Sequence, residues 1–364
     1  MNHKRELKVF VGPNNNVGLN VKIADALKAV NVYAKSCSFN EDPYIYNKAD
    51  IVIPLWGHKK YNYFQKLFIN KISRFFINSV IRIYILLYAL LKFDIIYLIS
   101  PHTFFKKNLD LPILKLFKKK IVFAFLGCAE RDPSDPINHS KYGICKLCND
   151  RRKQKNVYCT NLNKKQKRIR YLEKYADHIF AVKDLSSFLI YKNYHQIFVP
   201  HSKPPAIDYL SKFNRRPIVI AHFPTNNSLK GTKYVLQAME KISDKYANEV
   251  KFICEKVENK KLLGLLEKEV CILIDQFGSY HGMLAVEAMS RGTVVVARIS
   301  DWFYEERQEL PVVNCEANEI FEKLSELIEN PSKLKILAQQ SIEYYYKYHS
   351  LNSVGAKFKD VIFS

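Results

Sequence analysis

Apolar and polar positions along this chain fall into two successive series of the same kind. Short continuous apolar runs alternate with stretches whose apolar residues recur every three or four positions. These are the patterns of buried parallel strands and of the helices that cover them. LKVFVG at 7–12 predicts a first strand, and VGLNVKIADALKAV at 17–30 a helix. NVYAKS at 31–36 and ADIVIPL at 49–55 predict short strands, followed by a long helix within 61–91. DIIYLIS at 94–100 and KKIVFAFLG at 119–127 predict buried strands, with a helix over LDLPILKLF at 109–117 between them. Periodicity is lost over 128–165, after which a helix near 166–175 and strands at HIFAV and QIFVP close the series.

VPHSKPPAIDYLSKFNRRP, residues 199–217, has four Pro and little periodicity, and reads as a linker. A second series follows. It runs through a strand at IVIAHF, a helix at TKYVLQAMEKI, a strand at KFICE, a helix near 257–267 and a strand at CILID. A short helix around Glu287, the strand TVVVARI and two helices over about 316–346 complete it. Two βαβ series of similar size predict an α/β protein of two doubly wound, Rossmann-like domains facing across a cleft, with ligands at the carboxyl ends of the strands. The expected domains are 1–205 and 206–345, with a C-terminal helix in 346–364 able to pack back on the first. The length of 364 residues suits two such domains, and 48% hydrophobic residues suffice for their cores.

The start MNHKRELKVFVG has the pattern of a first strand rather than of a secretory signal, and eight Cys in that context predict reduced thiols in a cytoplasm. The formal net charge of +22 favours phosphate-bearing or membrane-surface partners, against compositional drift as the plain alternative. Residues 151–170, RRKQKNVYCTNLNKKQKRIR, contain no acid. No helix-turn-helix, RNA-recognition or zinc-finger pattern accompanies that run, so nucleic acid is not an expected partner. In the longest apolar region, FFINSVIRIYILLYALL at 75–91, Arg82 interrupts the run. A core helix of the first domain is expected there, an in-plane helix touching a membrane being the alternative.

The chemistry concentrates in GMLAVEAMSRGTVVV, residues 282–296. A carboxylate, Glu287, sits one turn into an otherwise apolar helix and needs a hydrogen-bonding partner there. The vicinal hydroxyls of a sugar or ribose suit it. The amides of Gly282, Met283 and Leu284 at the helix start suit phosphate. Lys230, in NNSLKGTKY before a helix, would add a point charge for a diphosphate. Asp275, Gln276, Tyr280 and His281 stand just upstream of the Glu287 helix as polar or sugar-lining candidates. His222, at a strand end, is either a cleft residue or a satisfied loop histidine. His58, His102, His195 and His201 have no companions at metal-ligand spacing.

The stretch 282–296 resembles the donor-binding motif of the family-four retaining glycosyltransferases, which have the GT-B fold. The resemblance extends to AHFPTNNSLKGTKYVLQAME at 221–240 and to residues 92–127, and so covers most of the chain. It implies that Lys230 contacts a donor diphosphate and Glu287 the ribose hydroxyls. The sugar would pass with retention to an acceptor hydroxyl, the departing phosphate taking the proton and no cofactor being required. The family's Arg five residues before the Lys is Thr225 here, and its first Glu is Ser279. Its His-Gly-x-Asp strand end has Leu126 and Ala129 in the places of His and Asp, with Glu130, Arg131 and Asp132 following. Arg131 becomes the candidate phosphate or sugar contact. In VGPNNNVGLN, Gly12, Asn16 and Gly18 form a loop that in the family faces acceptor and donor phosphates; a plain strand-to-helix turn is the alternative.

Cys145 and Cys148 form a CxxC, with Cys159 downstream and Cys128 and His139 upstream. Four cysteines, Cys128, Cys145, Cys148 and Cys159, suit a structural zinc that staples a long loop; free, packed thiols are the alternative. Cys37, Cys254, Cys271 and Cys315 read as core. Together these features predict a glycosyltransferase acting on a nucleotide-sugar and a glycan or lipid-linked acceptor, in surface polysaccharide or glycolipid synthesis. It would be cytoplasmic, at the inner face of the plasma membrane where anionic lipids meet a basic surface. The competing expectation is a degenerate, non-catalytic GT-B protein that binds glycan or a partner enzyme.

Overall fold

A computed structural model describes residues 7–14, 18–39, 48–56, 71–141, 143–148, 159, 161–191 and 193–364. In chain order the strands are β1 (Val9–Val11), β2 (Ala34–Ser38), β3 (Ile51–Val52), β4 (Ile95–Ile99), β5 (Lys120–Ala124) and β6 (His178–Ala181). They continue with β7 (His195–Gln196), β8 (Ile218–His222), β9 (Val250–Cys254), β10 (Val270–Ile274), β11 (Val294–Ala297) and β12 (Val312–Asn314). The helices are α1 (Leu19–Ala29), α2 (Lys71–Lys92), α3 (Leu111–Leu116), α4 (Pro136–His139), α5 (Ile144–Leu147), α6 (Leu162–Tyr175) and α7 (Asn227–Lys230). After them come α8 (Thr232–Tyr246), α9 (Asn259–Lys268), α10 (Met283–Met289), α11 (Asp301–Glu306), α12 (Ile320–Glu329), α13 (Pro331–Tyr348) and α14 (Leu351–Phe363).

The chain divides into two compact units. The first holds residues 1–132, 161–200 and 351–364, the second 133–160 and 201–350. This differs from the expected division in the Cys-rich segment, which packs with the second unit. Its Leu147 carbonyl accepts from Ser228 Oγ at 3.4 Å, and Lys141 pairs with Glu316 at 3.3 Å.

In the first unit seven strands pair in the order β3-β2-β1-β4-β5-β6-β7, all parallel. One face buries Phe10, Ile96, Leu98, Ile121 and Phe123 against Ile85, Leu86, Ala89 and Leu90 of α2, Leu111 and Leu114 of α3, and Ile169 and Leu172 of α6. The opposite face carries α1 and α14. Phe358 of α14 meets Phe180 edge-on at 4.8 Å between ring centroids and Tyr97 at 5.7 Å. A Cβ on Gly355 would collide with the Ala26 carbonyl oxygen, so α14 rests backbone-to-backbone on α1. The expected long helix begins at Lys71 in the structure; 57–70 lie outside the described residues.

In the second unit five parallel strands run β12-β11-β10-β8-β9. The period-2 alternation of a strand divides the β-branched runs between two cores. Ile218, Ile220, Ile272, Ile274, Val294 and Val296 face α8 and α12, while Val219, Ala221, Leu273, Val295 and Ala297 face α9 and α10. β12 and α11 were not foreseen. β12 is three residues long, follows Pro311 and lies at the sheet edge, too short for its own alternation to register. Cys254 corrects another expectation: it ends the edge strand β9 and is exposed, whereas Cys37, Cys271 and Cys315 are buried.

Candidate functional site

Chain order reverses in the second unit between β8 and β10. After β8 the chain moves outward to β9, then returns to place β10 on the other side of β8. The helices that follow β8 and β10, α8 and α10, therefore cover opposite faces of the sheet, the kind of switch point at which open parallel sheets bind ligands in a crevice. The β8 loop runs into α7 and ends on Lys230, whose successor Gly231 takes the left-handed conformation (φ 68°) that turns the chain into α8. The β10 loop runs from Asp275 to Gly282, which opens α10.

These loops converge on one buried ion pair. The Lys230 ammonium sits on Asp275 Oδ1, and the Gly282 amide donates to Asp275 Oδ2 at 2.6 Å. Burial alone would raise the Asp275 carboxyl; the Lys230 charge and the Gly282 amide outweigh it and hold the pKa below the usual carboxylate range. A Cβ on Gly282 would stand 3.2 Å from Asp275 Oδ2, 3.3 Å from Lys230 Nζ and 3.4 Å from Gln276 Oε1, so three polar side chains surround a glycine that leaves them room. Gln276 Nε2 donates to the Tyr280 carbonyl, and its own carbonyl accepts the Arg298 amide at 3.0 Å, which sets the shape of the 276–280 turn.

Glu287 lies five residues beyond Gly282, roughly 7.5 Å along a helix that rises 1.5 Å per residue. Its neighbours Ala285, Val286, Ala288 and Met289 are buried, while its own side chain is partly open. Its Oε1 is 3.6 Å from His201 Nδ1. His201 is in turn held by α13: its amide donates to the His349 carbonyl at 2.9 Å, and the Tyr345 hydroxyl donates to its carbonyl at 3.1 Å. The partner of Glu287 thus comes from a histidine with no local signal, 86 residues away in sequence.

The aromatic wall beside the site is Tyr280 stacked on Phe303 at 5.4 Å, with Trp302 edge-on to Tyr280 at 6.1 Å. His281 packs edge-on to Phe303 at 5.3 Å, and burial pushes its pKa below the ordinary histidine value. His222 bridges the Ile274 carbonyl (2.9 Å) and Thr232 Oγ1 (3.0 Å) and is fully buried, a post tying β8, β10 and α8 together. Met283 and Leu284 form the first turn of α10, where helical amides lack intrahelical partners. The Gly282 amide, expected as a phosphate donor, is already held by Asp275.

The first unit reverses order between β1 and β4, and the β1 loop lies there. Gly12 abuts the Cys37 carbonyl too closely for any side chain, Asn14 donates to the Thr103 carbonyl at 3.0 Å, and Gly18 opens α1 in the left-handed region. Asn16 lies outside the described residues. Arg131 does not stand in an open site: its Nε is 2.9 Å from Asp184 Oδ2, and both side chains are buried. Lys165 Nζ donates to the Arg131 carbonyl at 2.6 Å. Removing one partner of such a pair strands the other's charge. Arg131→Met is therefore expected to cost about 3–5 kcal/mol of stability by urea unfolding; an unchanged midpoint would discard this structural account. Glu130 is also buried, accepting from Ser100 Oγ at 2.6 Å, and burial raises its pKa.

Cys37, Cys128, Cys148, Cys254, Cys271 and Cys315 are free thiols. Cys145 lies within α5 and Cys148 caps its C-terminus in the second unit, Cys159 is counted with the same unit, and Cys128 is exposed in the first. Among the described residues no three His, Cys, Asp or Glu side chains gather to hold a metal ion.

No family model and no curated protein matches this chain. Solved structures do. Sucrose-phosphate synthase from Thermosynechococcus elongatus is similar over 98% of both chains, with a TM-score of 0.61 and 12% identity. HepE of Anabaena, in complex with UDP and glucose, is similar over 99% of this chain and 100% of its own, with a TM-score of 0.59 and 12% identity. A glycosyltransferase from Rickettsia africae is similar over 99% of this chain and 98% of its own, with a TM-score of 0.56 and 13% identity. Two parallel-sheet α/β units joined in this order are the GT-B fold, the architecture of these glycosyltransferases.

Proposed function

We propose that this chain is a glycosyltransferase that binds a nucleotide-sugar at the β8/β10 reversal of its second unit and passes the sugar to a glycan or lipid-linked hydroxyl. The observation that carries the reading is the convergence of Lys230, Asp275 and Gly282 at that crevice, with Glu287 one and a half turns further on. Lys230 keeps ammonium protons beyond the one it gives Asp275, and these can meet a diphosphate. Asp275 acts as its positioning residue. Glu287 and His201 offer an acceptor and a ring nitrogen to the vicinal hydroxyls of a ribose. That HepE holds UDP and glucose on the same fold supports a nucleoside diphosphate as the handle. Retention follows the family resemblance, with the departing diphosphate accepting the proton of the incoming hydroxyl. The net charge of +22 and the resemblance favour surface-polysaccharide or glycolipid synthesis on the cytoplasmic side of a membrane.

A thermal-shift panel of UDP-, GDP- and ADP-sugars tests this. A true donor at about one hundred times its Kd adds about 2.7 kcal/mol to folding, a clear rise in Tm. Glu287→Ala should erase that rise while leaving the ligand-free Tm within a degree or two, since the side chain is partly open. No shift with any donor would end the proposal.

The second reading, a GT-B protein that binds without transferring, is favoured by Thr225, Ser279, Leu126 and Ala129 at places where the family has polar or charged groups, and by Arg131 being spent on Asp184. Release of free nucleoside diphosphate from the stabilising donor, with or without added acceptor, separates the two.

A further inference from the structure

We propose that the outer face of α2 and α3 is a docking surface for an anionic lipid bilayer. α2 is long and apolar enough to cross a membrane by length and composition. Its inner side, however, is part of the first unit's core through Ile85, Leu86, Ala89 and Leu90. What it offers outward is a second apolar stripe at helical spacing, Phe75, Phe76, Val80, Tyr84, Leu87 and Leu91, of which Phe75 is 69% and Leu91 76% exposed. A helix on a water-facing sheet would carry polar residues there. Arg82, the charge that interrupts this helix in sequence, turns inward. It donates to the Phe104 carbonyl and lies 4.8 Å over the Phe39 ring, so the outer stripe is unbroken. On the same face of the sheet α3 adds Ile113 and Leu116 (78% exposed), with Phe117 at its C-terminal cap.

The charges around this surface choose the occupant. Residues 71–119 hold nine Lys and Arg against two Asp. One Asp, Asp110, is buried and takes hydrogen bonds from Thr103 and Phe105. The other, Asp94, accepts the Lys8 amide. Lys92, at the end of α2, Lys106 and Lys107, shortly before α3, and Lys118, just after it, are exposed. α6, packed on the same core, turns Lys164, Lys167, Arg170 and Lys174 to solvent. Apolar side chains bordered by cations of a single sign fit the boundary between acyl chains and anionic headgroups. A second copy of this chain fits poorly, because a two-fold interface would lay one basic rim against another.

The full-length protein should sediment with vesicles of phosphatidylcholine containing about one-third phosphatidylglycerol, and about ten-fold less with phosphatidylcholine alone. High salt should weaken binding to the mixed vesicles. Phe76→Glu/Leu87→Glu, at exposed positions, should reduce partition about ten-fold with an unchanged circular dichroism spectrum. A single Tyr84→Trp variant, which keeps the apolar face, should shift its emission to the blue on the mixed vesicles. Failure of the wild type to sediment with either vesicle, equal partition of the double variant, or a dimer in gel filtration that Phe76→Glu splits would overturn the proposal.

Discussion

Lys230→Met is expected to do two measurable things at once. It should lower stability by about 3–5 kcal/mol, because Asp275 is left as a buried carboxylate without its counter-charge. It should also weaken any nucleoside-diphosphate ligand roughly 100-fold, about 2.7 kcal/mol, because a charge-assisted contact to phosphate is lost. The double variant Lys230→Met/Asp275→Asn separates the effects. Its amide oxygen can still accept from the Gly282 amide, and no charge is stranded, so most of the stability should return while binding stays lost. Denaturant midpoints and calorimetric titration read the two quantities independently. Binding that survives in the double variant would remove Lys230 from the donor site.

The pair has a pH signature of known sign. The folded pKa of Asp275 lies below that of an unfolded aspartate. Its stabilisation is therefore fully present above the ordinary carboxylate range and fades as acid titrates the folded group.

Gly355→Ala is expected to destabilise the first unit by about 3 kcal/mol, at the upper end for overpacking, because the added carbon meets the Ala26 carbonyl and not a side chain that can rotate away. α14 would have to slide, loosening Val354, Phe358 and Ile362 from the core. The same substitution at Gly264, in the interior of α9, makes the control. Nothing lies within 4 Å of a Cβ there, so Gly264→Ala should stabilise by about 0.5–1 kcal/mol through helix propensity alone. Opposite signs in urea unfolding are the expected result; equal effects would mean that α14 is not seated as described.

Much of this architecture was legible because buried parallel strands advertise themselves. IVIAHF, CILID and TVVVARI are apolar runs between polar ones, and they became β8, β10 and β11. β12 escaped because three residues carry no period. Among the candidate site residues, Lys230, Asp275 and Gly282 were each legible singly, from a loop before a helix, the end of a strand and the start of a helix. That Asp275 takes both the Lys230 charge and the Gly282 amide was not, since Lys230 and Asp275 are brought together by strand order rather than by spacing. His201 shows the limit more sharply: it lies in a proline-rich linker, and only the packing of α13 puts it beside Glu287. Arg131 shows the converse. A cation after a strand looks like a ligand contact until its buried carboxylate appears 53 residues on.

The assignment of residues 133–160 to the second unit and of α14 to the first means that the polypeptide changes allegiance four times, near 132, 160, 200 and 350. No single scission yields either half intact. A fragment ended at the proline-rich stretch would carry a basic, thiol-bearing arm with nothing to pack on, and it would lack the helix that shields α1. Biochemical dissection of this protein therefore calls for grafted or circularly permuted chains rather than truncations.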